Sequence, residues 1–543
     1  MALFLTRISF LFFIVTASQA QSIDNGGFEK GLWNWTRTDK PGVQANVQTI
    51  IERSHGTGNS LQVSISGSGR DSLVRIATGN IPLDTGRIYM LRFWAIAKDR
   101  AANVDARIGT PAVYRQCHFE VYDSDGPWHM YQYLFKPRGK EGAVTLLFGS
   151  PSTFWIDDVE LLDDRDTLLD LKTQFMWQSA HLGYGWISGD DDVSVPLPDG
   201  RNAWILNDSF IGMLNDQSNV LKDVKMITNL IVLEEHKPQA TLTSVFGGTI
   251  AEPKALFPPT AYTLYWISDA MVAGGKLQVL LQEWNWAYKF TNRAFVATLS
   301  LPALKVESMI KTAYNGSDIP GAMLQEKDYT YIYTAQRVDT LNRYTRIARI
   351  PGGLIDPKAT WQFLAEDRTW TADTARAARM IAGTEIASVV KLGDSNYVFS
   401  GVPNLKSELA VRFAKTPIGP WTAPVTVYHV PEESGILPYL GHIHKGTKKD
   451  GVYTLSVSLF PHKGGWFQQL SDRGCYLPQY VRVDLEKLSP YTRKVPTRIT
   501  KAPARTRARG AAAHKQSGAF SLTGRRIPVK EGREIRSGIL RSE

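Results

Sequence analysis

The sequence predicts an all-β chain in which a β-sandwich is followed by a five-bladed β-propeller. Three observations predict it. Apolar runs are short and alternate with polar residues at period two rather than 3.6. Clusters of Gly, Pro, Asn and Asp punctuate them as turn residues do. From Gln174 to about Ser489 one plan, an apolar strand followed by a tight turn, returns repeatedly, as radial repetition requires.

At 543 residues the chain exceeds one ordinary hydrophobic core, so several domains are expected. Residues 1–20 carry Arg7, an apolar run from Ile8 to Val15, and Ser18-Gln19-Ala20. A basic start, a short apolar centre and a small-residue end predict a secretory signal peptide, and hence export to the cell surface or beyond. The run is shorter than the ~20 apolar residues needed to span a bilayer, and no other segment approaches that length; no transmembrane segment is expected.

Residues 21–166 form the predicted sandwich. Its strands are SLQVSIS (60–66), YMLRFWAIA (89–97), WHMYQYLF (128–135), AVTLLFG (143–149) and FWIDDVELL (154–162). Residues 174–490 form the predicted propeller. RAFVATLSLPAL (293–304), RYTRIARIPGGL (343–354), ELAVRFAKTPIGPW (408–421) and QYVRVDLEKLSP (479–490) are its repeated strand-turn units, with NLIVLEEHKP (229–238) an earlier copy. Between them lie NAWILNDSF (202–210), KLQVLLQEW (276–284), YTYIYTAQ (329–336), NYVFSGV (396–402) and VYTLSVSLF (452–460), read as inner strands. Residues 491–543 form a basic linker and tail.

The net charge of +10 belongs to that tail. From Thr492 onward the chain carries 14 Lys+Arg against 3 Asp+Glu, a balance of +11, which leaves about −1 for the rest. A near-neutral body excludes basic-patch recognition of nucleic acid. The two cysteines, Cys117 and Cys475, lie far apart and are expected as buried thiols rather than a disulfide or metal ligands.

The chemistry-bearing residues recur at strand entrances, where the blades of a propeller converge on one funnel. Asp190, Asp191 and Asp192 precede a short strand and a Pro198-Asp199-Gly200 turn, and Asp208 ends the next strand. Asp269, Asp318, Glu385, His442 and His444 take corresponding places further on. Asp199 and Asp394 read as turn residues, and Asp191 and Asp192 as solvated neighbours of Asp190. Crowded carboxylates serve glycosidic-bond hydrolysis and calcium binding alike. Glu385, followed by Ile386 and Ala387, has the apolar context that keeps a proton on an acid, whereas Asp190, among other acids, should stay ionised. Sugar faces need flat apolar partners; Trp284, Trp286 and Tyr288 in EWNWAYKF, and Trp466 and Phe467 in GGWF, are candidates, with His444 able to orient a substrate hydroxyl.

Two resemblances add to this reading. NGGFEKGLWNW (25–35), LRFWAIAK (91–98) and FWIDDVEL (154–161) resemble a CenC-type, family 4/9 carbohydrate-binding module. That implies a jelly-roll sandwich with a structural calcium held by Glu29 and Asp157 or Asp158. GDDDVSVPLPDGRNAWILNDSF, YWISDAMVAGGKLQVLL, TEIASVV and TPIGPWTAPVTVYHVPE resemble the blades of a secreted bacterial propeller family, much of it labelled a domain of unknown function and similar to furanosidase propellers such as arabinanases. The resemblance implies Asp190 as base or nucleophile, Asp269 as an orienting and tuning acid, and Glu385 as general acid. Asp208 competes for the first role, since NDSF stands where a GDTF-type ending is expected. The tail sequence GAFSLTGRRIPVKEGREIRSGILRSE (518–543) resembles C-terminal sorting segments of some Gram-negative secreted enzymes, which implies recognition by a secretion or surface-attachment system.

The function expected is hydrolysis of glycosidic bonds in a polysaccharide substrate, with an arabinan-like polymer foremost. A non-catalytic surface glycan-binding protein is the alternative; a lyase acting on acidic sugars, relying on His442 and His444, is a third.

Overall fold

The computed structural model describes residues 23–492 except 69–72, 100–101, 122–127, 166–167, 180–183, 215–220, 236–239, 340–341, 384–387, 404–405, 431–435 and 462–476. The expected signal peptide, the basic tail and Cys475 lie outside the described residues. Within them the structure is nearly all β.

Residues 23–163 fold into two antiparallel sheets. One runs Trp35–Asp39, Val74–Thr78, Glu141–Phe148, Ala102–Thr110 and Val113–Val121 in spatial order, with Ile81–Pro82 paired to the start of Glu141–Phe148. The other runs Gln44–Ile50, Ser60–Ser66, Thr153–Asp163, Tyr89–Ala97 and His129–Phe135. Their facing side chains, among them Leu91, Phe93, Val104, Phe119, Leu146 and Ile156, form one core. Cys117 is buried in it.

The Tyr89–Ala97 strand shows why its sequence alternates only weakly. Leu91, Phe93 and Ala95 point into the sandwich core, while Met90, Trp94 and Ile96 point the other way, as the two-residue pleat dictates. The second set joins Leu134 and Trp155 in a cluster that continues through Leu409, Val411, Phe413, Leu455 and Val481. One face of the sandwich is thereby sealed against the sheets that follow. A single calorimetric unfolding transition is expected for residues 23–492. Leu134→Asp, which buries a charge in the shared cluster at a cost of several kcal/mol, should lower the melting temperature and split the transition. A wild type that already melts in two steps would show that the cluster does not couple the two regions.

A helix, Leu171–Ser179, links them; the alternating pattern around it gives no sign of a helix. Asp170 caps it, accepting from the Thr173 N–H at 3.2 Å, and also accepts from the Thr454 hydroxyl at 2.7 Å. Among the described residues no helix is long and apolar enough to cross a membrane.

Five antiparallel sheets then follow in order. They begin with Val193–Pro196, Thr263–Ala273, Ile319–Glu326, Ser388–Gly393 and Ile436–Ile443. Each of these first strands packs beside the next, and the short 3-10 turn Lys445–Thr447 returns to Val193–Pro196. Leu169 bridges Val481 of the fifth sheet, so chain from before the first sheet closes onto the last. A further sheet, Gly185–Gly189, Ser209–Leu214 and Leu221–Ile227, stands beside the first.

The strands read as innermost from the sequence, such as Lys276–Asn285 and Tyr329–Arg337, are second strands here. The true first strands were disguised by shortness, as at Val193–Pro196, or by breaks in their alternation. Bulges interrupt the first strands at Ile267/Asp269, Pro320/Met323 and Tyr439/Gly441. A bulge adds a residue and re-aims the side chains beside it, and Asp269 and His442 flank such points.

Candidate active site

The site begins in the hairpin whose Pro198-Asp199-Gly200 turn joins Val193–Pro196 to Asn202–Leu206. Asp199 only holds Arg201 in that turn. Asp190 and Asp208 are cross-strand neighbours: the Asp190 N–H donates to the Asp208 carbonyl at 3.3 Å, and the Asn207 N–H donates to the Asp190 carbonyl at 3.1 Å. Asp190 is half-buried, and the Tyr439 hydroxyl donates to its Oδ2. Asp208 is buried and accepts from the Trp266 indole at 3.0 Å. Burial, reinforced by the charge of Asp191 and only partly offset by the indole, pushes its carboxyl up to about 6.

Asp191 and Asp192 are not solvated neighbours of Asp190, contrary to the sequence reading. They are 1% and 0% exposed, because the chain turns inward between them. Asp191 has a positive φ of 55°, a conformation Asp adopts more readily than most residues. Its N–H donates to Ser458 Oγ at 3.2 Å, and its carboxylate accepts from His442 Nε2 at 2.6 Å and from the Asn207 amide. Burial alone would lower His442. The hydrogen bond and charge of Asp191, helped by Asp192 and Asp269, overcome that and raise it. Burial raises the Asp191 carboxyl too, against the hydrogen bond and charge of His442, so the two form a buried acid–base pair joined by one short hydrogen bond.

Asp192 accepts from the Ser456 hydroxyl at 2.7 Å, and its other oxygen lies 3.5 Å from His444 Nε2. Burial pushes it up to about 6, against the opposing charge of His442. Burial and the neighbouring His442 charge hold His444 well below its ordinary value, so it is neutral. His444 is 0% exposed, with Nδ1 3.1 Å from Ser194 Oγ. It cannot face a substrate as the sequence suggested; it is a buried hydrogen-bonding group.

Asp269 is buried beside its bulge. Its carboxylate accepts from the Ala270 and Met323 N–H groups, each at 2.7 Å, and lies 3.5 Å from Lys445 Nζ. Asp269 is thus tied to the third sheet and to the 3-10 turn that follows the first strand of the fifth. Asp318 is likewise buried, paired with Arg346 at 3.0 Å. Glu385 and Trp466 lie outside the described residues.

The aromatic candidates separate. Trp284 belongs to the Lys276–Asn285 strand and is buried, so it is a packing residue rather than an open platform. Trp286 is 49% and Tyr288 62% exposed. Trp266, which sequence reasoning passed over as an ordinary strand residue, stacks on Tyr288 with centroids 5.9 Å apart and packs on Trp284 at 5.0 Å. An aromatic apron therefore reaches Asp208 directly. The strand signal around Trp266 was plain, but only the bulge two residues later turns that end of the strand toward the acids.

The Asp208 shift carries its own test. The folded protein keeps a proton on Asp208 that the unfolded chain releases near its ordinary value of 3.8. Stability from this group is thus fullest below about pH 4 and falls as pH rises toward 6. Asp208→Asn should remove that fall, gaining at most about 3 kcal/mol at neutral pH. Urea unfolding of both proteins across pH 4–7 checks it; parallel stability curves would refute it.

In the sandwich, Glu29, Asp157 and Asp158 surround Gly27, whose added Cβ would lie 3.4 Å from Asp158 Oδ1 and 3.8 Å from Asp157 Oδ1. His55 holds both aspartates, its N–H donating to Asp157 at 2.9 Å and its ring nitrogen 2.7 Å from Asp158. Glu29 accepts from the Asn59 N–H at 3.1 Å. Burial, then the charge of Asp158, pushes Asp157 up to about 7. Among the described residues no three His, Cys, Asp or Glu side chains converge as a metal cage; calcium also takes backbone and amide carbonyls.

Comparison with solved structures finds similar chains. A Bacteroides ovatus ATCC 8483 protein provisionally named a hydrolase aligns with 59% of this chain and 91% of its own, at 18% identity and a TM-score of 0.51. A GH43 β-xylosidase/α-arabinofuranosidase from a compost microbial metagenome aligns with 56% of this chain and 91% of its own, at 16% identity and a TM-score of 0.34. A CBM4 structure aligns with 26% of this chain and 97% of its own, at 14% identity and a TM-score of 0.21. No curated protein matches by sequence. The family profile described as "Domain of unknown function (DUF5005)" matches residues 178–491, more than half of the chain, and the protein belongs to that family.

Proposed function

We propose that this is an exported polysaccharide-active protein: a jelly-roll carbohydrate-binding module, a five-bladed propeller that hydrolyses glycosidic bonds, and a basic tail that serves sorting. The observation that carries the reading is the pairing of unlike carboxyls at one end of the ring. Asp190 is half-buried and accepts from a tyrosine hydroxyl, while Asp208 is buried under an indole and pushed up to about 6. Two acids in unlike surroundings, one half-buried and one desolvated, beside a flat apolar surface are what glycoside hydrolysis uses.

In this reading Asp190 is the base or nucleophile and Asp269, fixed by two backbone N–H groups, orients the site. Glu385, which precedes Ser388–Gly393 in the sequence, delivers the proton; Asp208, the competitor of Asp190 for the first role, becomes through its raised carboxyl an alternative donor as well. The apron of Trp266, Trp286 and Tyr288 takes the sugar faces, and an arabinan-like polymer is the favoured substrate. Incubation with a panel of neutral and acidic polysaccharides should release new reducing ends from at least one. Binding without release on every polymer would leave a glycan-binding protein instead.

A structural calcium in the sandwich also remains part of the proposal. It would require Asp158 to leave His55 and, with Asp157 and Glu29, turn toward the ion. An ion at that point would relieve the desolvated Asp157–Asp158 pair. Calcium should then raise the melting temperature and a chelator reverse it; an unchanged melting temperature removes the ion from the account.

A further inference from the structure

The second sheet carries an exposed aromatic surface that packing does not explain. Tyr262 is 82% exposed, and with Trp286 and Tyr288 it makes one patch on two neighbouring loops. One loop leads into Thr263–Ala273, the other joins Lys276–Asn285 to Phe290–Ser300, and the pairing of Thr263 with Asn285 sets them side by side. The Trp286 indole reaches across, donating to the Thr260 carbonyl at 3.4 Å. Single exposed apolar side chains are ordinary on a protein surface, but a contiguous group marks a place of contact.

Both loops are braced. Thr260 Oγ1 accepts from the Tyr262 N–H at 3.2 Å and the Thr263 N–H at 2.9 Å, and Pro258 and Pro259 restrict the chain just before it. Asn285 Oδ1 accepts from the Ala287 and Lys289 N–H groups, each at 3.0 Å, while the Tyr288 N–H donates to the Asn285 carbonyl at 2.9 Å. Tyr288 itself has φ of 55°, a left-handed conformation that is uncommon outside glycine and costly for a bulky residue. Strain of this kind gathers at ligand clamps, and here it sets a ring that is still more than half exposed. A ligand that stacks on loops already ordered gives up little chain entropy.

What occupies the patch follows from its size and from where it leads. Three such rings, each presenting part of the usual 150–250 Å² of an aromatic side chain, offer about 400 Å², well under the ~800 Å² per partner of a stable protein interface. Tyr288 stacks on Trp266 with the planes 16° apart, and Trp266 donates to Asp208, so the aromatic surface runs outward from the acids to Tyr262. Tyrosine and tryptophan pair a flat apolar face with a polar edge, which suits a sugar with its C–H face and rim of hydroxyls. We infer that Tyr262 and Trp286 form outer subsites for a glycan chain, so that the ligand is held over several sugars leading away from the acids rather than by a terminal sugar alone. That the chain continues to a cleaved bond rests on the hydrolase reading; its stacking on the two loops does not.

The sandwich has a glycan role of its own in that reading, so the test must report from the loops themselves. Hydroxyl-radical footprinting of the full chain, read by mass spectrometry, does so with soluble arabinan, xylan, galactan and mixed-linkage glucan, each as polymer and as its disaccharide. At about ten times its dissociation constant, at least one polymer should fill about nine-tenths of the sites and cut the labelling of Tyr262 and Trp286 several-fold, while its disaccharide leaves Tyr262 labelled in full. Ile310, 48% exposed on the outer strand of the same sheet, is the internal control. In Tyr262→Ala/Trp286→Ala the polymer concentration that protects Tyr288 should rise about tenfold or more, with melting curves confirming that the variant folds. Full labelling of Tyr262 and Trp286 under every polymer overturns the subsites. So does a disaccharide that protects them as well as its polymer, or unchanged protection of Tyr288 in the folded Ala pair. Protection that follows protein concentration without any glycan also overturns them and assigns the patch to contact between copies. Protection by polymer without release of reducing ends retains the subsites and sinks only the hydrolase reading.

Discussion

Asp190→Asn is expected to lower the release of reducing ends by about 10²–10⁴-fold, the range that a general base or nucleophile contributes, while glycan binding and the melting temperature hold. The substitution is nearly isosteric, and the Asn oxygen can still accept from Tyr439. What it removes is the negative charge, and with it the ability to take a proton or attack carbon. The residue is half-buried, and an amide of the same shape preserves the packing around it. Two companion variants decide the partner. Glu385→Gln should lose activity to a similar degree if Glu385 is the proton donor. Should Asp208→Asn fall instead while Glu385→Gln stays active, the donor is the carboxyl under Trp266. An Asp190→Asn protein with the full rate would dismiss the assignment altogether.

Much of the architecture was legible because β-structure writes itself locally. Alternation and turn residues located the second and third strands of the five sheets, and the Pro198-Asp199-Gly200 turn placed the hairpin that carries the site. The first strands were harder. Val193–Pro196 spans only 4 residues, and Thr263–Ala273 carries a bulge, so neither presents a regular period of two. The site was legible in its acids and not in its partners. Tyr439 reaches Asp190 from 249 residues away, and His442 reaches Asp191 from 251. Those meetings depend on the ring closing, which no local pattern encodes. The acidic triplet shows the same limit: the sequence reads Asp191 and Asp192 as solvated neighbours of Asp190, but the chain buries both and leaves Asp190 nearer solvent. Trp284 shows the opposite error. It reads as a loop residue only if the strand ends early, and the strand runs on to Asn285.

The largest effect on stability should come from Asp191. Its side chain is 1% exposed and that of His442 is 4%, with 2.6 Å between Oδ1 and Nε2. Asp191→Ala would leave the imidazole among Asp192 and Asp269 without its direct partner, and breaking such a buried pair costs about 3–5 kcal/mol. It would also strip the acceptor from the Asn207 amide, whose own carbonyl holds the Ile267 N–H at 2.6 Å. The damage should therefore spread from the first sheet to the second and fifth. The converse variant, His442→Ala, leaves Asp191 buried and uncompensated, but a carboxyl can escape by binding a proton, which an alanine-flanked imidazolium escapes only by losing one. His442→Ala should thus recover stability as pH falls, since protonated Asp191 needs no counter-charge, whereas Asp191→Ala should recover it as pH rises and the imidazole becomes neutral. Denaturant unfolding of the two single variants and the double variant at acidic and alkaline pH measures this directly. Opposite pH trends, with the double variant less damaged than the two single losses summed, are the result expected of an ion pair. Parallel pH trends with coupled losses would show that the contact is a neutral hydrogen bond, and additive losses that the two side chains do not stabilise one another.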